Sequence, residues 1–322
     1  MRFGIIGTNF ISDWFATSAL AVKGAELSAV YSRKLDTGRA FAEKYGIGEV
    51  YDDLDAMLSS KSVDAVYIAS PTYCHKDHAI AALKHGKAVL CEKMIAASLA
   101  EFEEMLEAKA QHGGILIEAM RPDFDPAVTV LRDAVLAIGK VRRASFEYCQ
   151  YSSRYDAFLR GDIQNAFNPD MKNSALADIG IYPLHLCVSL FGEPRELWSK
   201  SVFLHNGFEG CGSILMDYGD MLATVTYSKI TASVNPSVIE GELGSVTVDK
   251  INAPTRVVLH LRGEEPRSLP FPTRAHNMQY EVEEFMRIAS GERDSEPLIR
   301  LSHAVMRTVD KVYRASNIMQ NS

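Results

Sequence analysis

Alternating strand and helix signals, set going in the first dozen residues, constrain this chain more than any other feature. Arg2-Phe3-Gly4-Ile5-Ile6-Gly7 is a short apolar stretch that breaks at Gly7 into Thr8-Asn9-Phe10-Ile11-Ser12-Asp13-Trp14-Phe15, which takes helical spacing. A strand, a tight turn and a helix in this order open a βαβ unit. The turn then presents backbone N–H groups and the positive end of a helix to a dinucleotide pyrophosphate. The small-residue fingerprint of such turns reads Gly7-Thr8-Asn9-Phe10-Ile11-Ser12 here, with a glycine only at its first position. Asn9 is the non-glycine residue that best tolerates a left-handed backbone, and Ser12 is nearly as small as alanine, so a bound phosphate is compatible with the turn. Taken alone, the stretch is equally an ordinary strand-to-helix turn.

The alternation continues to residue 120. Strands are expected over 26–31, 62–69, 88–91 and 115–117, and helices over 36–45, 72–85 and from Ser98, where Ser98-Leu99-Ala100-Glu101 fits a capping box. Gly46, Gly86 and Gly113-Gly114 mark the helix ends. Repeated βαβ units form a doubly wound parallel sheet that binds ligands at the carboxyl ends of its strands. The residues just after each strand are therefore the candidates. After the second strand stands Ser32-Arg33-Lys34, a hydroxyl and two cations where an NAD site places an acid for the ribose 2′-hydroxyl. That chemistry suits a 2′-phosphate and points to NADP, although a solvated basic turn reads the same; Asp36 is read as a helix cap. Later strand ends carry Ser70-Pro71, with His75 beyond, and Glu92-Lys93. A lysine at the enclosed end of a central strand needs a reason, which makes Lys93 a site candidate. Pairing with Glu92, or snorkelling, is the plainer alternative.

Beyond residue 120 the pattern changes, and residues 121–322 are read as a second domain, whose last helices could pack back on residues 1–120. Asp125-Pro126 opens a helix that Gly139 ends, Val141 to Tyr151 alternates as a strand, and the polar stretch Ser152 to Lys172 reads as a loop over a site. A helix is expected from Asn173 or Ser174 to Leu190. On it Asp178 and Tyr182 are four residues apart, with His185 a turn further on, so a carboxylate, a phenol and an imidazole share one stripe. The stripe suits proton transfer; equally, Asp178 could complement the helix dipole and His185 could be a satisfied core histidine. Arg121, Arg154, Tyr155 and His185 are candidates for a substrate pocket. Residues 195–269 read as strands, with reversals at Gly219-Asp220 and at Gly241 and Gly244, before two closing helices at 278–288 and 302–316. A broad sheet covered on one side leaves a face to bury, and a homodimer or homotetramer through it is the expected assembly.

Bulk properties narrow the class. A chain of 322 residues suits two domains, and a net charge of −7 without any basic block argues against a nucleic-acid partner. No apolar run reaches membrane-spanning length, and the chain begins in a core strand, so no leader is expected. The five cysteines are scattered without a close pair and read as reduced cytoplasmic thiols; the nine dispersed histidines give no metal site.

The glycine-turn first strand, Tyr31-Ser32-Arg33, Ser70-Pro71 with His75, Gly86-Lys87, Glu92-Lys93, the run Ser174-Ala175-Leu176-Ala177-Asp178-Ile179-Gly180-Ile181-Tyr182-Pro183 and Phe191-Gly192 together resemble the Gfo/Idh/MocA oxidoreductases over nearly the whole chain. The likeness is to the glucose-fructose oxidoreductase and inositol dehydrogenase type, close to the dihydrodiol dehydrogenase branch. It implies a Rossmann domain, a carboxy-terminal α/β domain with an open, mostly antiparallel sheet, and NADP- or NAD-dependent redox chemistry on a sugar, polyol or related diol. It further implies that Tyr182 is the general acid/base, that Lys93 steers its proton and that Asp178 orients the substrate. Gly7, Thr8, Asn9, Phe10, Ile11, Ser32, Arg33, Lys34, Ser70, Pro71, His75, Glu92 and Lys93 would hold the cofactor. Free tyrosine and lysine both titrate near about 10, and each lowers the other when they are adjacent. Three positions depart from the family pattern: Asn9 for a glycine, Met94 for the proline after Glu-Lys, and Asn173-Ser174 for two glycines. The alternative is a non-catalytic NADP-binding regulator or sensor.

Overall fold

The computed structural model describes residues 1–316 and residue 318; residue 317 and residues 319–322, the end of the second predicted domain, lie outside the described residues. The chain divides into two compact units, Met1–Arg121 with Arg274–Ser302, and Pro122–Thr273 with the remainder of the chain.

In the first unit β1 (Arg2–Ile6), α1 (Phe10–Leu20), β2 (Glu26–Tyr31), α2 (Leu35–Tyr45), β3 (Glu49–Tyr51), α3 (Leu54–Ser59), β4 (Ala65–Ile68), α4 (His75–Lys84), β5 (Ala88–Glu92), α5 (Leu99–His112) and β6 (Leu116–Ala119) follow one another. The strands form one parallel sheet in the order β3-β2-β1-β4-β5-β6. Phe3, Ile5, Ile6, Val66, Tyr67 and Ile68 are fully buried, as strands covered on both faces require, and this is why β1 and β4 read as continuous apolar runs. Strand order reverses between β1 and β4, so a crevice opens at their carboxyl ends. The cap at Ser98 forms, its hydroxyl accepting from Glu101 N at 3.2 Å, while the Glu101 carboxylate takes Ala97 N at 3.1 Å rather than the cap residue's own amide. Two expectations change. β3 and α3 stand where no element was expected, and α2 begins after Lys34, leaving Asp36 in its first turn 3.9 Å from Arg39 instead of at the cap.

The second unit holds α6 (Pro126–Ala137), β7 (Val141–Cys149), α7 (Tyr155–Leu159), α8 (Ile181–Phe191), β8 (Glu196–Phe203), β9 (Glu209–Asp217), β10 (Leu222–Ser228), β11 (Ser237–Gly241), β12 (Gly244–Val248), β13 (Val257–Leu261) and β14 (Arg267–Leu269). Its sheet runs β14-β13-β12-β11-β7-β10-β9-β8, antiparallel except for the parallel pair β7 and β10. Ala223, Val225 and Tyr227 of β10 point to the core, and α8 covers β7 and β10 on that side. The expected reversal at Gly219-Asp220 is a tight hairpin, with Tyr218 N donating to Met221 O at 3.0 Å. α9 (Met278–Ala289) belongs to the first unit, where Phe285 lies 5.9 Å from Phe3, and α10 (Glu296–Ser316) starts earlier than the expected Ser302. Among the described residues no helix is long and apolar enough to cross a membrane.

Candidate functional site

The first unit assembles its candidates at the switch point between β1 and β4. Gly7 has φ +104°, a conformation that L side chains avoid, and a Cβ there would stand 2.9 Å from the Ala69 carbonyl oxygen. Only glycine lets the two strand ends come this close. Asn9 makes no use of its tolerance for a left-handed backbone. It is extended (φ −88°, ψ −178°), and its side-chain oxygen accepts from Ile11 N at 3.0 Å and Ser12 N at 3.3 Å, while Nδ2 donates to Ala69 O at 2.7 Å. Asn9 is thus the cap of α1 and a tie between the β1 and β4 turns. Thr8 and Ile11 are half-buried, and Phe10 is exposed with its ring 6.3 Å from that of Trp14.

At the end of β2, Ser32 is buried and its Oγ accepts Lys34 N at 3.4 Å, whereas Arg33 and Lys34 are exposed. Arg33 acts electrostatically on Cys74 and His78 of the neighbouring turn. His78 was not among the site candidates. Its Nδ1 lies 3.0 Å from Ser70 Oγ and its ring meets Tyr31 edge-on at 6.1 Å; burial first, then electrostatic interaction with His75 and Arg33, push its pKa down against the pull of Asp77, from 6.5 to about 4. Pro71 begins the short 3-10 turn ahead of α4.

His75 sits deeper than a ligand contact would require. It is buried, and its ring nitrogens face Met94 O at 2.9 Å and Ser70 O at 2.8 Å, so both edges are taken by the backbone that follows β4 and β5. It braces the two turns rather than reaching into the crevice. Glu92 is also buried; Tyr67 donates to its Oε1, and Lys93 N donates to its Oε2 at 3.2 Å. Burial raises the Glu92 carboxyl pKa, against the lowering action of Tyr67, Lys93 and Arg121. Lys93 is half-buried and the Lys93–Met94 peptide bond is cis. The segment after it is held by a buried carboxylate, Glu118, which accepts Ile95 N at 3.1 Å and Ser302 Oγ at 2.8 Å. Arg121 is buried, with Nη1 3.4 Å from Asn277 Oδ1 and its guanidinium 5.5 Å from the Trp14 ring.

In the second unit the helix expected from residue 173 or 174 is not uniform. Leu176–Gly180 forms a π turn and α8 starts at Ile181, so the four-residue spacing that would stack Asp178 on Tyr182 in an α-helix does not carry over unchanged. Side chains set this turn: Ser174 Oγ accepts Ala177 N at 3.0 Å and the buried Glu209 carboxylate accepts Leu176 N at 2.8 Å. Gly180 leaves space for Tyr227, whose ring a Cβ would approach to 2.6 Å. Asp178 Oδ2 lies 2.9 Å from Lys229 Nζ; Tyr182 is buried with its ring 5.9 Å from Tyr148; His185 is buried with Nε2 2.8 Å from Asp123 Oδ2. Arg154 is exposed and reaches Gln164 Oε1 at 2.7 Å, while Tyr155 packs on Phe158 and Phe167. Among the described residues no group of three or more His, Cys, Asp or Glu could hold a metal ion.

Glu118, Glu209 and Lys229 were missed because their partners are distant in sequence. A buried charged or imidazole group beside a candidate turn is the signal that finds them once the fold is known.

Residues 1–120 match the oxidoreductase family with an NAD-binding Rossmann fold, and residues 134–247 match the GFO/IDH/MocA C-terminal domain. A scyllo-inositol 2-dehydrogenase (NADP(+)) of Bacillus subtilis is 41% identical over 89% of this chain and 87% of its own length. The trans-1,2-dihydrobenzene-1,2-diol dehydrogenase of Mus musculus is 28% identical over 81% of this chain and 78% of its own. Among solved structures, a 3-ketoreductase from Actinomadura kijaniata in complex with NADP and TDP-benzene superposes with a TM-score of 0.84 at 24% identity, over 98% of each chain.

Proposed function

This chain belongs to the Gfo/Idh/MocA family of oxidoreductases, and on that premise we propose that it is an NADP-preferring dehydrogenase that moves a hydride between the nicotinamide and a secondary alcohol or ketone of a polyol or sugar-like diol. The carrying observation is the Gly7 turn at φ +104°, closed against Ala69 at the β1/β4 switch point, which fits a pyrophosphate approaching backbone. Thr8, Phe10, Ile11, Ser70 and Pro71 border that turn. Ser32, Arg33 and Lys34 stand at the end of β2 with two exposed cations, which favours a 2′-phosphate, and the 41% identical relative is named for NADP(+). The nicotinamide, when bound, supplies the hydride acceptor or donor. Tyr182 takes the hydroxyl proton during oxidation and returns it during reduction; Lys93 steers that proton; Asp178 orients the substrate. Glu92, buried and bonded to Lys93 N, fixes the backbone that carries the lysine.

The polyol class comes from the named substrates of the inositol and dihydrodiol relatives. A homodimer or homotetramer in the cytoplasm is part of this reading. The outer face of the second sheet carries the cross-strand row Trp198, Leu215, Thr224, Ser145 and Val238, of which Trp198 and Leu215 are exposed, and a second copy would cover it. The sensor reading draws on Asn9, whose side chain already occupies two N–H groups of α1. Parallel titration of Trp fluorescence with NADPH and NADH, followed by an absorbance screen of polyols with NADP+, separates the two. Preferential NADPH binding with polyol turnover supports the dehydrogenase; tight binding with no turnover on any polyol supports the sensor.

A further inference from the structure

We propose that Lys229 is a positioning residue for Asp178, fixing one carboxylate oxygen and so aiming the carboxylate at the substrate. No motif and no likeness picks out this lysine. It follows β10 directly, and its backbone is clamped on both sides: Lys229 N donates to Gly210 O at 2.9 Å, and its carbonyl accepts Ser152 N at 2.9 Å. Its side chain is 3% exposed. Removing an ammonium from water is costly unless charge and hydrogen bonds replace the lost hydration, so a lysine this deep is held by specific partners. Those partners are Asp178 Oδ2 at 2.9 Å, the Ala166 carbonyl oxygen at 2.6 Å, and the rings of Phe167 and Phe208, 4.8 and 5.1 Å from Nζ.

The two ends of the ion pair differ. Lys229 is enclosed, while the Asp178 side chain keeps 38% of its surface. The lysine therefore acts from behind: it holds Oδ2 and so sets the orientation of the carboxylate on the π turn, with its charge compensated. Because Nζ also holds Ala166 O, the same cation ties the polar segment 152–172 to Asp178. The aromatic pair Phe167 and Phe208, both fully buried, excludes water from the contact and strengthens it.

The inference rests on the reading of Asp178 as the substrate-orienting carboxylate, and the test separates the two. Steady-state kinetics are compared for the full wild-type chain, Lys229→Met, Lys229→Arg, Asp178→Asn and the Lys229→Met/Asp178→Asn double variant, with NADP+ and the polyol that the wild type oxidises fastest among scyllo-inositol, myo-inositol and trans-1,2-cyclohexanediol. Lys229→Met and Asp178→Asn are each expected to lower kcat/KM by roughly tenfold or more, chiefly through KM for the polyol, because losing one oriented hydrogen bond to a charged group has that order. NADPH affinity should stay at the wild-type value. Lys229→Arg should recover part of the loss, and the double variant should be no worse than Asp178→Asn alone. Wild-type kinetics in Lys229→Met beside an impaired Asp178→Asn, or losses that multiply in the double variant, overturn the proposal and leave the Asp178 reading intact. An unimpaired Asp178→Asn, or a wild type inactive on all three polyols, removes the reading of Asp178 and this proposal with it. Should Lys229→Met fail to fold, Lys229→Gln, which keeps a donor for Ala166 O, carries the same comparison.

Discussion

Replacing Asn9 tests the account of the first turn most sharply, because glycine and alanine should act oppositely to what the fingerprint suggests. In Asn9→Ala, α1 loses its side-chain cap to Ile11 N and Ser12 N, worth about 1 kcal/mol, and the Ala69 carbonyl loses a donor at 2.7 Å, worth about 1 kcal/mol more. The sum of about 2 kcal/mol corresponds to a melting temperature lower by about 4–8 °C for a body of this size. Asn9→Gly forfeits the same carbonyl contact but only a few tenths of a kcal/mol at the cap, so its loss should be about half as large. Thermal melts without cofactor, followed by Trp14 fluorescence in a Trp198→Phe background, report on the first unit. If Asn9 were left-handed, glycine would relieve about 1–2 kcal/mol of strain and Asn9→Gly would melt above the wild type. That outcome would refute the extended cap at φ −88°.

Other consequences follow from single residues. Arg33→Ala should weaken NADPH binding by roughly 10- to 150-fold through loss of a charge-assisted contact, with NADH little affected; calorimetry with equal losses for both would end the 2′-phosphate assignment. The folded state keeps His78 neutral with a pKa of about 4 against 6.5 for the free ring, so its contribution is whole above pH 6.5 and is lost as pH falls from 6.5 toward about 4. His78→Gln should therefore move the acid-unfolding midpoint downward, and an unmoved midpoint counts against the burial of this ring. Gly180→Ala sets a methyl 2.6 Å from the Tyr227 ring and should cost about 1–3 kcal/mol while lowering activity, since the π turn must shift; an unchanged melt would show that the packing there is loose.

The parallel sheet was legible because β1, β4 and β5 are buried on both faces and carry little but apolar residues between glycine and polar turns. β3 and α3 were not, since elements of three and six residues hold too little periodicity to stand out. Asn9 was read for its tolerance of a left-handed backbone, but the hydrogen bonds that fix it reach across to Ala69 in another strand turn, which local pattern does not record. The π turn over Leu176–Gly180 escaped for a similar reason. Five residues cannot distinguish a wider turn from an α-helix, and the groups that set it, Glu209 and Tyr227, arrive from β9 and β10. Motif positions such as Gly7, Arg33, Lys93, Asp178 and Tyr182 could be singled out because their chemistry is unusual for their place. Residues that support them, Glu118 and Lys229, look ordinary until burial is known.

Hydride transfer itself is the measurement that bears most directly on the proposed function. Scyllo-inositol carrying deuterium at its carbinol carbons is incubated with NADP+ and the chain, and the nicotinamide is examined for label at C4 by NMR. Label should appear with the wild type and fall by roughly 10²- to 10⁴-fold in Tyr182→Phe and Lys93→Met, the range for loss of general acid–base catalysis, while both variants still bind NADPH. Wild-type transfer in Tyr182→Phe would remove Tyr182 from the mechanism, and no transfer from any polyol by a wild-type chain that binds NADPH tightly would contradict the dehydrogenase reading.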